Sequence, residues 1–288
     1  MRRVVEQPAT LLETLATFFP DSSKTTLRQM LQAGRVRVDG AVEKDARRML
    51  ERDETVDVAQ KPNQRVLPLG LGILHEDDHV LVVLKDRGLL TVATERETKT
   101  TAQAFLNDYL KENGEGRVHV VHRLDRETSG VLVFAKNFAA RERLKEQFAE
   151  HSVDRIYVAI VEGSLPQPEG TIRSHLFEKK NLRMVSIDRL DHYPSAKLAV
   201  THYRTIQTNA RFSMLEVTLE TGRKNQIRAH LSEAGHPVVG DTFYGASENP
   251  LGRLGLHAKL LGFAHPKTGE RMTFTAPLPK VFRTLFGI

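Results

Sequence analysis

The chain has 288 residues and no cysteine, and its 42 Lys and Arg against 36 Asp and Glu give a formal net charge of +6. This length suits one large domain or two unequal ones, and the absence of cysteine excludes disulfides and thiolate metal sites. No apolar run approaches a membrane span, and the start carries Glu6 and Glu13 where a signal or transit peptide has none, so a soluble cytoplasmic protein is expected.

Residues 8–58 predict a compact module. Thr10 caps a helix with Leu11, Leu12, Leu15 and Phe18 or Phe19 along one side, and Pro20 stops it. A second helix starts at Ser22 or Ser23, carries Leu27, Met30 and Leu31 at helical spacing, and ends at Gly34. Val36 and Val38 then alternate ahead of Asp39-Gly40, a hairpin signal. This order, together with SKTTLRQMLQAGRVRVDG, resembles the small S-four-like RNA-binding domain. The resemblance implies phosphate contacts from Lys24, Arg28, Arg35 and Arg37, with Arg28 and Gln32 sharing a helix face at i, i+4. An ordinary solvated face is the alternative.

Two prolines, two glycines and several polar residues interrupt all periodicity over 59–72, the pattern of an interdomain linker. The expected domains are 1–64 and 65–288, and the first carries a net charge of only +1, so +5 lies in the second. There ILHEDDHVLVVLK predicts two strands around a turn at Glu76 to Asp78, and residues 100–112 predict an amphipathic helix capped by Thr100 or Thr101.

From Val121 to Lys136, VHRLDRETSGVLVFAK, a knot of polar groups runs into an apolar strand. His122, Arg123, Asp125, Arg126, Glu127, Thr128 and Ser129 cannot all be satisfied in a core, so they predict a loop held against a buried strand. Gly130 after two hydroxyl residues suggests a tight turn in which Thr128 and Ser129 bond nearby backbone amides. Such a turn places Asp125 at the mouth of the sheet, rooted in a rigid element as an attacking carboxylate must be. A surface loop with a few ion pairs is the alternative.

HRLDRETSG resembles the signature of the RluA family of RNA pseudouridine synthases, in which this aspartate is the catalytic nucleophile. Asn137 next predicts a helix cap, with Ala140, Leu144 and Phe148 on one stripe. Residues 155–161 predict a strand that resembles the family block Lys-x-Tyr-x-Ala, with Arg155 in place of the lysine and Tyr157 matching the active-site tyrosine. Residues 164–211 look like a family-variable insert. Leu215, Val217 and Leu219 alternate in a half-buried strand. GRKNQIRAHLSEAGHPVVGDTFYG then resembles the third family block, with a helix from about Arg223 to Ala234 that buries Ile227, Leu231 and Ala234. Arg228 matches the family arginine that pairs with the catalytic aspartate. The family's Lys-Pro-x-Gly becomes Lys85-Asp86-Arg87-Gly88 here, and its Thr-His pair becomes Lys224-Asn225. The tail predicts a strand pair around Pro266 to Gly269, with His257 and His265 in structural roles and no metal site.

The resemblance implies an α+β fold: a catalytic domain built on a mixed, largely antiparallel sheet, preceded by a small α/β RNA-binding domain. It implies an isomerase that cuts the C1′–N1 bond of uridine in structured RNA and rejoins the base through C5, without a cofactor. Asp125 would be the nucleophile, Arg228 its cationic partner, Tyr157 the tyrosine that stacks on uracil, and Arg123 the side chain that fills the gap left by the flipped base. Ribosomal RNA is expected as the partner rather than transfer RNA, with no membrane and a monomeric chain. Two alternatives stand beside this: a non-catalytic RNA-binding assembly factor, and a hydrolase using Asp125 with His122.

Overall fold

Local capping starts the small N-terminal unit. Thr10 Oγ1 accepts the Glu13 N–H at 3.3 Å while the Thr10 N–H donates to Glu13 Oε2 at 3.0 Å, so α1 (Leu11–Phe18) begins with both groups satisfied. Ser23 Oγ accepts the Thr26 N–H at 3.1 Å and opens α2 (Lys24–Gln32). Leu11, Leu15, Leu27 and Leu31 pack on Val36, Val38, Val56 and Val58. The strands are β1 (Arg2–Val4), β2 (Ala9–Thr10), β3 (Val36–Val38), β4 (Ala41–Val42), β5 (Met49–Leu50) and β6 (Thr55–Val58). They form a four-stranded sheet of order β1-β6-β3-β4 and a separate β2-β5 pair.

The computed structural model describes residues 2–39, 41–58, 70–95, 97–112, 114–188 and 190–288. The chain divides into two compact units, 1–66 and 67–288. Gly40 of the expected hairpin, most of the expected linker and the boundary at 64 and 65 lie outside the described residues, and the linker's last two positions, Leu71 and Gly72, are already strand.

Among the described residues the larger unit has eleven strands: β7 (Leu71–Glu76), β8 (Val80–Lys85), β9 (His119–Val120), β10 (Ser129–Ala135), β11 (Asp154–Glu162), β12 (Glu169–Glu178), β13 (Met184–Ile187), β14 (Lys197–Thr208), β15 (Phe212–Leu219), β16 (Leu256–Ala264) and β17 (Arg271–Thr275). The order along the sheet is β13-β12-β14-β15-β11-β16-β10-β8-β7, with β17 paired to β16 and β9 to β10. Its helices are α3 (Ala102–Glu112), α4 (Phe138–Ala149), α5 (Gln226–Glu233) and α6 (Lys280–Phe286). The fold is α+β with a largely antiparallel sheet, as the resemblance implied, and β10 with β16 is a parallel pair at its centre.

The continuous apolar runs of β8 and β10 follow from burial on both faces. Val80, Val82, Val131 and Val133 meet Ala140 and Leu144 of α4, while Leu81, Val83, Leu132 and Phe134 meet Ala102, Leu106 and Leu110 of α3. All seven residues of β10 are buried, and fully burying a side chain the size of Val131, Leu132, Val133 or Phe134 is worth about 1.5–3 kcal/mol. Asn137 Oδ1 accepts the Ala140 N–H at 2.9 Å and so starts α4 directly after β10. Tyr157 borders both the α3 core and the α5 core formed by Ile227 and Leu231 against Ala159, Val161, Leu215 and Val217.

Residues 164–211 supply β12, β13 and β14, which extend the main sheet to one edge. β15 keeps the expected alternation from Leu215 to Leu219, with Leu215 and Val217 buried and Thr218 exposed, and is buried on both faces over Phe212–Leu215, where Phe282 and Phe286 of α6 pack against Phe212 and Met214. The helix expected from Arg223 begins at Gln226: Asn225 is left-handed at φ 50°, a conformation asparagine tolerates, and Ala234 is exposed beyond the helix end.

Candidate active site

Asp125 stands on the loop between β9 and β10, and that loop is pinned on both sides of it. Before it, Thr91 Oγ1 donates to the Leu124 carbonyl at 2.7 Å and accepts the Leu124 N–H at 3.2 Å. After it, the Arg126 carbonyl accepts from the Gly88 N–H at 2.8 Å and from Lys85 Nζ at 3.2 Å. Lys85 Nζ also donates to the carbonyls of Asp86 at 2.9 Å and Leu89 at 2.8 Å, so one ammonium ties the 86–89 loop to the Asp125 loop. Where the family has proline, the Asp86 N–H donates to the Gly70 carbonyl at 2.7 Å, a bond no proline can make.

Lys85 is fully buried, and that burial pushes its pKa down to about 8 against the opposing pull of Asp125, Glu127 and Asp86. An unfolded lysine titrates near 10.5, so between about pH 8 and 10.5 the unfolded chain binds more protons and stability rises with pH. Urea unfolding across this window should show a slope about 1.4 kcal/mol per pH unit steeper in the wild type than in Lys85→Met. Equal slopes would mean that Lys85 titrates as a solvated lysine.

The hydroxyls after Asp125 do not bond backbone amides as expected. The turn closes through the Thr128 N–H, which donates to the Asp125 carbonyl at 3.1 Å, whereas buried Thr128 Oγ1 lacks a hydrogen-bond partner. Ser129 Oγ instead reaches His257 Nδ1 at 2.8 Å and accepts from Arg253 Nη2 at 2.7 Å. Gly130 is already in the strand at φ 127°, where a Cβ would stand 2.1 Å from the Ala258 carbonyl oxygen. Close approach of β16, rather than a turn, requires glycine there.

Asp125, Arg123, Tyr157 and Arg228 line one cavity of about 510 Å³, together with Arg155 and Arg223. The Asp125 side chain is 25% exposed, and Arg228 Nη1 lies 3.7 Å from its Oδ2. That contact is longer than a hydrogen bond. The bonds of Arg228 go elsewhere: Nε to Asp241 Oδ2 at 2.6 Å, Nη2 to Asp241 Oδ1 at 2.8 Å, and Nη1 to Asn225 Oδ1 at 3.1 Å. Burial opposes its charge, yet the bonds to Asp241 and the nearby Asp241 and Asp125 carboxylates outweigh burial and hold its pKa above the ordinary arginine value. Burial pushes the Tyr157 hydroxyl up to about 12, with Arg155 pulling the other way, so the ring is a protonated surface at neutral pH. Arg123 is exposed at the cavity.

His122 lines the same cavity, but its Nε2 accepts the Val133 N–H at 3.2 Å and its ring stacks on Phe148 at 4.6 Å. Burial, reinforced by Arg155, drives its pKa down to about 3. It is a neutral structural group with its ring acceptor already used, which removes the base that a hydrolase would need. Arg155 is held by Nη2 bonds to the carbonyls of Leu219 at 3.2 Å and Glu220 at 2.8 Å.

The four cations expected in the N-terminal unit are distributed over it. Lys24 and Arg28 are exposed on α2, Arg37 is exposed on β3, and Arg35 is half-buried. His257 bonds Ser129, and His265 Nε2 lies 3.2 Å from Asp77 Oδ2, so both are engaged in structural contacts. Among the described residues no cluster of three or more His, Asp or Glu could hold a metal ion, and no helix is long and apolar enough to cross a membrane. Sequence reasoning gave no role to Lys85, Thr91 or Asp241. A cation ending the apolar run VLVVLK was the one available signal for Lys85.

The profile of the family described as RNA pseudouridylate synthase matches residues 79–233, which span Asp125, Tyr157 and Arg228. A Bacillus subtilis (strain 168) protein named Uncharacterized RNA pseudouridine synthase YlyB is 36% identical over 92% of this chain and 89% of its own length. Ribosomal large subunit pseudouridine synthase D of Pseudomonas aeruginosa is 33% identical over 95% of this chain and 89% of its own. Among solved structures, Human RNA Pseudouridylate Synthase Domain Containing 4 is similar at a TM-score of 0.61 and 26% identity, covering 73% of this chain and 90% of that one. With Asp125, Tyr157 and Arg228 of the cavity inside the matched region, the chain belongs to the RNA pseudouridylate synthase family and is an isomerase acting on RNA.

Proposed function

We propose that this enzyme converts uridines of structured ribosomal RNA to pseudouridine, with Asp125 as the attacking carboxylate. The observation that carries this is the cavity in which a partly exposed Asp125 faces the Arg228 guanidinium and the Tyr157 ring. Attack on the sugar, attack on the base and removal of the C2′ proton all need the ionised carboxylate, and the Arg228 guanidinium stands 3.7 Å from it. Tyr157 stacks on the uracil, and a hydroxyl pushed up to about 12 makes it a surface and donor rather than a base. Flipping the nucleotide costs roughly a few kcal/mol, and Arg123 fills the space it leaves in the stack. The isomerisation involves no net redox change, so no cofactor is required.

Ribosomal rather than transfer RNA is supported by relatives named for the large ribosomal subunit. Relatives named for the large ribosomal subunit also support a soluble, cytoplasmic enzyme, and because one chain supplies all the proposed catalytic residues a monomer is sufficient for the reaction. Mapping pseudouridines across total RNA with and without the gene tests the function: sites in ribosomal RNA should disappear in the deletion. Loss confined to transfer RNA would overturn the substrate assignment.

Residues 1–64 serve as the S-four-like RNA-binding domain and 65–288 as the catalytic domain. Lys24, Arg28, Arg35 and Arg37 contact phosphates and add affinity and orientation. Deleting residues 1–64 should weaken RNA binding and flatten log affinity against log salt by about one unit for each phosphate that the truncated enzyme no longer neutralises. Single-turnover rate at saturating enzyme should fall less than affinity. An unchanged salt slope would make these cations a solvated face.

A further inference from the structure

Arg155 lines the cavity as a buried cation without a counterion. The residue is 7% exposed, yet among the described residues no carboxylate pairs with it. Tyr157 is the one group whose ionisation would favour its charge, and that hydroxyl, pushed up to about 12, is protonated at neutral pH. Burial accordingly pulls the Arg155 pKa below the ordinary arginine value. Both carbonyl bonds, to Leu219 and Glu220, come from Nη2. Nε is buried without a hydrogen-bond partner, and among the described residues none accepts from Nη1. Nη1 lies against Gly222, where a Cβ would stand 2.6 Å from it, and Gly222 lines the same cavity. A buried charge left in this state is costly, and such groups are normally paired.

The cavity as a whole shares the imbalance. Asp125 is the only carboxylate among its described lining residues, against Arg123, Arg155, Arg223 and Arg228, and Arg228 is already paired with Asp241. Arg223 is exposed, with its Nε donating to the Leu198 carbonyl at 2.9 Å. The surplus is positive, and RNA carries one negative charge on each phosphate.

We propose that Arg155 binds a phosphate of the target nucleotide: its Nη1 donates to the phosphate on one side of the uridine whose base lies on Tyr157. This rests on the proposed reaction at this cavity. Arg155 and Tyr157 are two residues apart on β11, about 6.6 Å along a strand, and both line the cavity. A uracil on the tyrosine ring therefore brings its own ribose and phosphate, rather than those of a distant nucleotide, to the guanidinium. A uracil carbonyl could accept the same hydrogen bond, but it has no charge to offset the buried cation, whereas a phosphate has. The lysine of the family block has a single nitrogen. Arginine holds the end of β15 with Nη2 and keeps Nη1 for the phosphate, so the donor is fixed before RNA arrives.

The test uses a synthetic RNA stem-loop spanning a uridine found by the mapping and tritiated at C5 of that uridine. The phosphate on its 5′ or its 3′ side is replaced by an uncharged methylphosphonate. Tritium release is read in single turnover at enzyme concentrations below saturation. In the wild type, one of the two replacements should lower the rate about 10–100-fold, the range for a hydrogen bond to a charged group. Arg155→Met should lower the rate on the unmodified RNA by a similar factor. It should then respond to that same replacement by no more than about 2-fold, because the partner is already gone, while at the other linkage the two enzymes respond alike. A merely structural Arg155, tying the start of β11 to the end of β15, would give losses that multiply at both linkages, and that result would overturn the proposal.

Gly222→Ala displaces Nη1 without removing Arg155, and it should repeat the pattern of Arg155→Met in milder form. Should the methionine variant not fold, the alanine variant decides: wild-type sensitivity at both linkages would overturn the proposal. Absence of tritium release by the wild type from the unmodified RNA would sink the functional assignment, whereas release with multiplying losses would sink only the role of Arg155.

Discussion

Asp125→Asn is expected to abolish tritium release while RNA binding stays within a few-fold of wild type. The substitution keeps the shape of the side chain and removes the charge, and an amide cannot replace a carboxylate in forming or breaking the bonds at C1′, C2′ or the base. Removing a group on which the whole reaction depends costs at least about 10⁴-fold in other enzymes whose chemistry runs through one residue. The fold should tolerate the change. The loop is pinned by backbone contacts to Thr91, Lys85 and Gly88 on either side, and Arg228 retains its bonds to Asp241. Unfolding midpoints close to wild type, beside rates at background, are the expected pair of measurements. Activity near wild type would remove Asp125 from the mechanism.

Arg228→Lys should lower the single-turnover rate by roughly 100-fold or more, well beyond any change in RNA affinity. Arginine holds Asp241 with two nitrogens and Asn225 with the third, while the third also faces Asp125. One ammonium cannot satisfy that geometry, although the charge is kept. Asp241, with its side chain 1% exposed, then faces one ammonium in place of two guanidinium donors, and a decrease of about 1–3 kcal/mol in stability should accompany the kinetic defect. Single-turnover kinetics and RNA binding on the same preparations separate the alternatives. Equal decreases in rate and affinity would identify Arg228 as a phosphate contact.

Those features that rest on neighbouring residues were legible in the sequence. Thr10, Ser23 and Asn137 each cap the helix expected of them, and β8 and β10 appear where the apolar runs predicted strands. The family blocks led to Asp125, Tyr157 and Arg228, which the fold brings to one cavity. Residues 164–211 were opaque because β12 and β14 leave much of their length partly exposed, so their sequences carry polar positions that look like turns. The partners of Lys85 and Arg228 were opaque for another reason. Lys85 serves the carbonyl of Arg126 across 41 positions and Arg228 is held by Asp241 across a turn, and no local periodicity encodes either contact.

The parallel alignment of β10 with β16 also sets the order of events during synthesis. Ser129 stands opposite His257 and Gly130 opposite Ala258, so the strand that carries the Asp125 loop gains its central neighbour only after more than a hundred further residues have been added. Antiparallel partners of β10 arrive earlier, since β8 and β9 precede it in the chain. A nascent polypeptide can therefore assemble the β7-β8-β10 sheet and pack α3 and α4 on it, yet the Arg253 and His257 contacts that hold Ser129 do not exist until β16 leaves the ribosome. Catalytic competence comes late in the life of each chain, and an incomplete translation product carries the nucleophile on a strand lacking its inner neighbour.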